Sequence, residues 1–597
     1  MKSFYLLLSS FIFVSASFGN YFTPGTGVRW TLDNLVTNSG GDVTLTSGTY
    51  NVNDTVFISA KDTLFITSNA IVKFAVNTYL DVNGTLIINP PTGVTFTAMD
   101  TTAGYFGVRI DSSNATVLRK LTFEYAVSLR LGDSNITIDS CTFRYNTPTA
   151  IFGNSAITLF RSSPFITNCK FNDNMRAAIQ GGANIANAPR IIGNLFCGNN
   201  TLNLNVPQIN LGATGNDTVR IMNNQMLRAS TNSGGIGFLP VGTANAVISG
   251  NVIKNNRYGI TFNGGSNINS LISYNQIDSN NIQGDPLLGG SGIAYSGGSA
   301  TSQQNSIVTG NLIRWNLWGI TIQGRSRPNI GNINNADTTD DGKNEFINNT
   351  NTATPNIDLY NNSVDTIYAQ NNYWGTTDIA ITETRIFHQT DNHSLGPVIY
   401  LPVMQSTLPA ELTCFTANIN KNSVTLNWKT LSESNSGYFN VERSTDGQLF
   451  NVAGTVAASG TASSVQAYGF TDNIILYSGR PVFYRLKIVD KNGTFKYSRV
   501  LSVRLNDPLE TQVVKLYPLV ISASRGLTAE IVSVKEQNLV IQFIDAEGRQ
   551  IAQTIKALTA GKNRFTITTS AALQNGWIYL RFIGEGLHQT TPIFKHK

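Results

Sequence analysis

An all-β chain is what this sequence predicts: a long stack of short-stranded coils, followed by two β-sandwiches. Three observations predict it. An asparagine-rich motif returns about every 20–36 residues through the first two thirds of the chain, the period of a solenoid, propeller or array. The residues between these motifs alternate like strands and are broken by turn formers. After Pro402 the spacing changes to turn signals at about ten-residue intervals, the pattern of a sandwich.

The repeat aligns Cys141-Thr142-Phe143, Cys169-Lys170-Phe171, Asn194-Leu195-Phe196, Asn224-Gln225-Met226, Asn251-Val252-Ile253, Asn275-Gln276-Ile277, Asn311-Leu312-Ile313, Asn344-Glu345-Phe346 and Asn372-Tyr373-Trp374. A small or amide residue is followed two places later by a large apolar one. That offset keeps both on one face of a strand. The apolar column, running back to Phe123, reads as stacked core. The amide column reads as structural, since an Asn at a bend is able to bond the coils on either side through both of its groups. A second strand follows a short turn, as in Gly259-Ile260-Thr261-Phe262, Gly292-Ile293-Ala294-Tyr295 and Gly319-Ile320-Thr321-Ile322, with Ala150-Ile151 and Ala178-Ile179 as looser versions. Coils of two or three such strands make a parallel β-helix, in which each coil buries its apolar face only against its neighbours. Between Trp30 and Ile110 the runs Val43-Thr44-Leu45, Val56-Phe57-Ile58 and Leu64-Phe65-Ile66 are strands, and no amphipathic helix is expected there.

Composition narrows the function. Charged residues are 13% of the 597, and the net charge is +6. No Lys/Arg cluster of the kind that binds nucleic acid is present. Lys2, the apolar run Phe4 to Val14 and the small residues through Gly19 read as a secretory signal peptide, residues 1–19. That run is too short to span a bilayer. The four cysteines do not make a disulfide framework. Cys141 and Cys169 share one repeat position, so they are either two buried thiols or a disulfide between neighbouring coils. Cys197 falls out of that register, and Cys414 belongs to another domain.

Residues 20–405 resemble the right-handed parallel β-helix superfamily that includes pectate lyases and periplasmic copper-site accessory proteins. The carrying segments are the coil repeats and the closing coils, Pro328-Asn329-Ile330-Gly331, Asp341-Gly342-Lys343-Asn344, Asp358-Leu359-Tyr360-Asn361, Tyr368 to Gly375, and Ile386 to Pro402. His388 stands where that pattern tends to carry an acidic residue. Residues 410–505, with Trp428 as core tryptophan and Asp446-Gly447 as a hairpin turn, are similar to the fibronectin type III-like modules of secreted bacterial proteins. Residues 512–597 resemble a type A C-terminal sorting domain of the type IX secretion system. They do so through Leu516-Tyr517-Pro518, Val540 to Arg549, Gly561 to Phe565, Leu573 to Tyr579 and the ending Phe594-Lys595-His596-Lys597. The family's opening Tyr-Pro-Asn-Pro stands here as Tyr517-Pro518-Leu519-Val520. The resemblance implies export through that machinery to the outside or the cell surface.

Chemistry is scarce. Residues 25–380 contain no histidine, which excludes a histidine-based triad in the coils. The aspartate clusters and Gly-His-Gly turn of polygalacturonase-like hydrolases are missing. Lys254, Asp278 and Arg314 follow the core position on consecutive repeats. They are either able to bind or deprotonate an acidic sugar, or form a solvated charge-balanced ladder. Tyr145, Tyr258, Trp315 and Trp318 lie in nearby turns as candidate sugar platforms. Asp337, Asp340 and Asp341 form an acidic loop without EF-hand spacing, the one candidate Ca²⁺ site; no other cofactor is implied. The expected function is a secreted or surface β-helix protein contacting polysaccharide without a recognisable catalytic centre. The alternatives are a polysaccharide lyase or glycoside hydrolase acting on an acidic glycan, and a structural or adhesion protein.

Overall fold

The computed structural model describes residues 19–596 apart from 148–152, 265–266, 352–355, 405–411, 421–422, 431–432, 434, 448, 463, 475–476, 478–480, 492, 494, 499, 505–510, 522–525 and 569–574. The expected signal segment up to residue 18 and the pair Ala150-Ile151 lie outside the described residues, as does the side chain of Cys414. The chain divides into two compact units, Met1–Ser406 and Thr407–Lys597.

The first unit is a right-handed parallel β-helix of three sheets. We number them in the order the chain meets them. Sheet I has 14 strands, from Tyr21–Phe22 to Ile386–Phe387; sheet II has 11, from Arg29–Trp30 to Gln304–Thr309; sheet III has 13, from Val43–Thr46 to Glu345–Ile347. Strands pair in parallel with the coil before and after. The exception is the opening hairpin of sheet III, where Val43–Thr46 runs antiparallel to Thr49–Val52. The apolar column registers as expected, with Phe96 on Phe123, Phe143, Phe171 and Phe196 in turn. The Phe171 ring stacks 5.0 Å from Phe143 and 4.8 Å from Phe196, nearly parallel to both. Because Phe171 is fully buried, Phe171→Ala opens a cavity in the middle of the stack. The expected cost is about 3–5 kcal/mol, read as a lower midpoint in guanidinium unfolding.

From Lys120 onward each coil turns on a single left-handed residue at two of its corners. Between sheets II and III these are Lys120, Ser140, Asn168, Gly193, Asn223, Gly250, Tyr274 and Gly310; between sheets III and I they include Tyr125, Tyr145, Asp173, Gly198, Asn255, Ser279 and Trp315. From Gly193 onward the residue after each II–III corner is the predicted amide. Asn251 donates its backbone N–H and its Nδ2 to Asn275 Oδ1, both at 2.9 Å. Asn275 repeats this to Asn311 at 3.0 and 2.9 Å. Cys141 and Cys169 head the column as buried free thiols. The Cys141 N–H points at Cys169 Sγ, 3.4 Å away, and the Cys169 N–H at Asn194 Oδ1, 2.8 Å away. A second amide column follows the III–I corner: Asn146, Asn174 and Asn199, then Asn256, Asn280, Asn316 and Asn349. Ala229 interrupts it, and Gln208 bridges the gap, taking a bond from Asn199 and giving one to Asn256, each 2.9 Å. The glycines that open the sheet I strands are dictated by coil spacing: a Cβ on Gly259 would stand 2.4 Å from the carbonyl oxygen of Gly292.

One expectation fails here. Leu32–Asn38 is an α-helix with a capping box between Thr31 and Asn34, and it buries Leu32 and Leu35. At seven residues it is too short to show a helical period, and its cap is its only local signal. Leu32 and Leu35 belong to the same apolar core as Val43, Val52 and Val56.

The second unit holds two separate cores. Residues 412–504 pair antiparallel in a three-stranded and a five-stranded sheet, with Trp428 buried edge-on to Phe415 and Phe439 at 6.4 and 5.5 Å. Residues 512–595 likewise form a three-stranded sheet, and a five-stranded one whose single parallel pair is Val520–Ile521 on Leu587–Lys595.

Candidate functional site

Outward-facing side chains of a β-helix form rows, because each coil repeats the face of the last one about 4.8 Å on. In sheet III the row places Lys254, Asp278 and Arg314 in direct register. Lys254 Nζ lies 3.7 Å and Arg314 Nε 3.1 Å from the same Asp278 oxygen, and the Asp278 side chain is fully buried beneath them. Burial works against its charge. Hydrogen bonds from Ser279 and Gln276, with the two cations, outweigh burial and hold the carboxyl below the ordinary range. The group is therefore ionised and committed to its partners. The ladder sets two cations on one anion, a net charge of +1 rather than the expected balance, and its centre is dry rather than solvated. Further down this row Arg144 Nε pairs with Glu124 at 2.7 Å.

The four aromatic candidates divide by position. Tyr145 and Trp315 are themselves left-handed corner residues, 40% and 43% exposed. The Tyr145 ring stacks on Tyr125 at 5.5 Å, and the Arg314 guanidinium lies 4.1 Å from the Trp315 ring centre. Tyr258 instead fills the space above Gly234, where a Cβ would stand 2.0 Å from its ring. Burial pushes its hydroxyl up to about 12. Trp318 donates its Nε1–H to the Pro286 carbonyl at 3.0 Å and packs on Tyr360 at 5.2 Å.

In the acidic loop, Asp337 caps the short turn Thr338–Asp340 and takes bonds from both the N–H and the hydroxyl of Thr339. Asp340 is buried and bound by Asn329 and Asn335, while Asp341 lies 3.9 Å from Lys343. Among the described residues no three His, Cys, Asp or Glu side chains are grouped to hold a metal ion. His388 is buried: its Nδ1 accepts the Val398 N–H at 3.0 Å, and its Nε2 faces Glu383 at 3.2 Å. A ring fixed at both nitrogens is a structural one.

The row that sequence reasoning missed belongs to sheet I. In unbroken register it runs Phe22, Phe57, Asp81, Arg109, Arg130, Thr158, Gln180, Asn210, Gly237, Thr261, Ala294, Thr321, Tyr360, Phe387. Aromatic rings close both ends, stacked at 4.1 Å for Phe22–Phe57 and 4.9 Å for Tyr360–Phe387. The middle is hydroxyl, amide or small. All of the row's charge sits in one block. There Arg109 binds Asp111 and lies 4.0 Å from Asp81. Burial raises the Asp81 carboxyl, Arg109 lowers it, Asp111 raises it and Asn83 lowers it, for a net displacement above the ordinary range. Beside this block a cleft of about 370 Å³ is lined by Asn83, Arg109, Asp111, Arg130, Gly132, Asp133, Phe160 and Arg161. That size falls within the ~300–1,000 Å³ of small-molecule sites.

Fold and faces together define a parallel β-helix protein with a long polar outer row and a charged cleft beside it. A family model for the right-handed β-helix region matches residues 34–196 and 131–307. No curated protein matches the chain. Among solved structures, the tailspike protein gp49 of the Acinetobacter baumannii bacteriophage Fri1, a capsular polysaccharide depolymerase, is 10% identical; the match covers 96% of this chain and 86% of that one, with a TM-score of 0.20. Dimeric latent PorU of Porphyromonas gingivalis is 14% identical over 34% of this chain and 22% of its own, with a TM-score of 0.15. Red sea bream transglutaminase is 11% identical over 32% of each chain, with a TM-score of 0.14. The chain thus spans about a third or less of the length of these last two. Among the described residues no helix is long and apolar enough to cross a membrane.

Proposed function

We propose that this chain is a secreted or cell-surface protein whose β-helix contacts polysaccharide along sheet I. The observation that carries the reading is the outer row itself. Hydroxyl and amide side chains repeat at strand spacing between aromatic ends, which suits a polymer of hydroxylated rings. Aromatic faces stack on sugar rings, and amides and hydroxyls both give and accept hydrogen bonds. A row with so few charges does not suit nucleic acid, whose binding rests on phosphate neutralisation. In this reading residues 410–505 are a spacer, and residues 512–597 are the sorting domain that delivers the protein through the type IX secretion machinery. Lys254, Asp278 and Arg314 serve as a structural ion ladder, Tyr145 and Trp315 as accessory sugar contacts. The acidic loop is a turn, with Ca²⁺ at Asp337, Asp340 and Asp341 kept as a variable of the test.

A second reading, glycoside hydrolysis, is favoured by one feature: Asp81, raised, and Asp111 flank a single arginine, and paired carboxylates in unlike environments are what that reaction uses. Incubating the full chain with plant, algal and microbial polysaccharides, with and without Ca²⁺, separates the two. Retention of the protein on a polysaccharide gel with intact polymer by mass spectrometry is the expected result. Saturated fragments would replace it with the hydrolase and unsaturated ones with a lyase, while no retention on any polymer removes the carbohydrate reading.

A further inference from the structure

Arg130 differs from every other charged side chain in the sheet I block. Its Cα lies between Arg109 and Thr158, and it is half-buried. No acceptor or carboxylate among the described residues engages its guanidinium. Its neighbours are already committed. Arg109 is held by Asp111 and Asp81, and Arg161 grips Asp133 through Nε and Nη2 at 2.7 Å each. The space in front of Arg130 is built rather than accidental. Gly132 lines it, and a Cβ there would stand 2.1 Å from Asp111 Oδ1. Phe160 supplies one apolar wall, with the Arg161 guanidinium 4.2 Å from its ring centre.

A half-buried guanidinium without a partner has lost part of its hydration and gained nothing in exchange. An oxyanion entering the cleft supplies what is missing, because the planar fork of arginine matches carboxylate and sulfate oxygens two at a time. Among the residues that line the cleft Arg109 pairs with Asp111 and Arg161 with Asp133. That leaves Arg130 as the lining cation open to a single oxyanion, with the buried Asp81 on the far side of Arg109 in the row. A ring carrying that charge has Phe160 to lie against, and Asp111 and Asp133 to accept its hydroxyls. We propose that the Arg130 cleft is an acidic-sugar subsite, binding the single ring-borne oxyanion of a uronate or sulfate-ester residue in a glycan that runs along sheet I. The inference rests on the polysaccharide reading above and adds to it the charge of the sugar and the residue that reads it.

The test is calorimetric titration of the full chain with acidic oligosaccharides beside uncharged counterparts: oligogalacturonate and its methyl ester, oligomannuronate and its methyl ester, and sulfated galactan with its desulfated form. The charged member of at least one pair binds tenfold or more tightly than its counterpart, and the pair that responds tells uronate from sulfate. Arg130→Gln reduces that binding to the level of the uncharged form, whereas Arg190→Gln, an exposed arginine of sheet II, leaves it unchanged. Because the Arg130 side chain has no partner to lose among the described residues, its variant keeps the wild-type unfolding curve, which separates lost binding from lost fold. Wild-type affinity in Arg130→Gln, with the acid preference intact, overturns the subsite and leaves the polysaccharide reading standing. Equal affinity for charged and uncharged forms overturns oxyanion recognition alone. Absence of binding to any glycan removes the subsite together with the reading it rests on.

Discussion

Asn275→Ala lowers the stability of the β-helix by about 4 kcal/mol or more, the larger of the two leading effects expected of single substitutions. The side chain is 1% exposed and makes four bonds to neighbouring coils. Its Oδ1 accepts the Asn251 N–H and Nδ2; its own Nδ2 reaches the Ile248 carbonyl at 2.8 Å and Asn311 Oδ1 at 2.9 Å. A typical hydrogen bond contributes only ~0.5–1.5 kcal/mol net, because water competes for both partners. A buried donor left unpaired costs ~1–3 kcal/mol. Removing Asn275 strands the backbone N–H and one amide N–H of Asn251 where water does not reach, while the other amide hydrogen still meets the Ile221 carbonyl at 2.8 Å. The alanine also leaves a small void. Guanidinium unfolding followed by far-ultraviolet circular dichroism reads the loss as a lower midpoint. The head of the amide column behaves differently: Asn194 Oδ1 accepts the Cys169 N–H alone, so no amide hydrogen of the coil before depends on it. Asn194→Ala, which strands a backbone N–H but no amide, is therefore milder, and equal losses at the two positions would contradict a ladder whose amide bonds add to its backbone ones.

The first amide column was legible because it stands two residues before a large apolar side chain, and that pair recurs in every coil. The second column was equally present and went unread. Asn146, Asn174, Asn199, Asn256, Asn280, Asn316 and Asn349 each follow the first column at a constant offset of five residues. Aligning the repeats on Cys141 through Asn344 exposes them, with Ala229 as the single gap. Sheet I is another matter. Between its strands and those of sheet II the connections vary in length, from Gly132 to Thr137 in one coil and Gly181 to Arg190 two coils later. Register across sheet I therefore does not follow from a repeat count. Arg109 and Arg130 are 21 positions apart in sequence and share no motif, yet they are Cα neighbours. For the same reason the candidates named from sequence cluster on sheet III, where the repeat is rigid, while the cleft lies on sheet I. The burial of Asp278 was beyond the sequence too. An outward position is solvated only if its row neighbours are short, and here Lys254 and Arg314 fold over it.

Where the second column ends, its last acceptor is a carboxylate rather than an amide, and this gives the β-helix a dependence on pH. Asn349 Nδ2 donates to Asp358 Oδ1 at 2.8 Å. Arg385 Nη1 stands 3.6 Å from the other oxygen, beyond hydrogen-bond distance, which leaves that oxygen buried without a bond. Complete burial dominates, opposed by the Asn349 bond and the Arg385 charge, and raises the carboxyl from 3.8 to about 7. Below pH 4 the folded and unfolded chains both hold the proton, so Asp358 favours neither. Between pH 4 and 7 the unfolded chain releases it and the folded one retains it, so stability falls as the pH rises. Above 7 the full penalty is present, roughly 4 kcal/mol for a displacement of this size. Asp358→Asn keeps an oxygen for Asn349 to donate to and removes the charge. Arg385 keeps its bond to the Trp374 carbonyl at 2.7 Å. The variant therefore melts with the wild type at pH 4, and melts higher than the wild type above pH 7. Its β-helix transition stays nearly level where that of the wild type declines. Scanning calorimetry from pH 4 to 8 distinguishes this from a simple ion pair. If Arg385 held the carboxylate ionised in the fold, the wild type would gain stability as the pH rose, and the substitution would lower the melting temperature at pH 8.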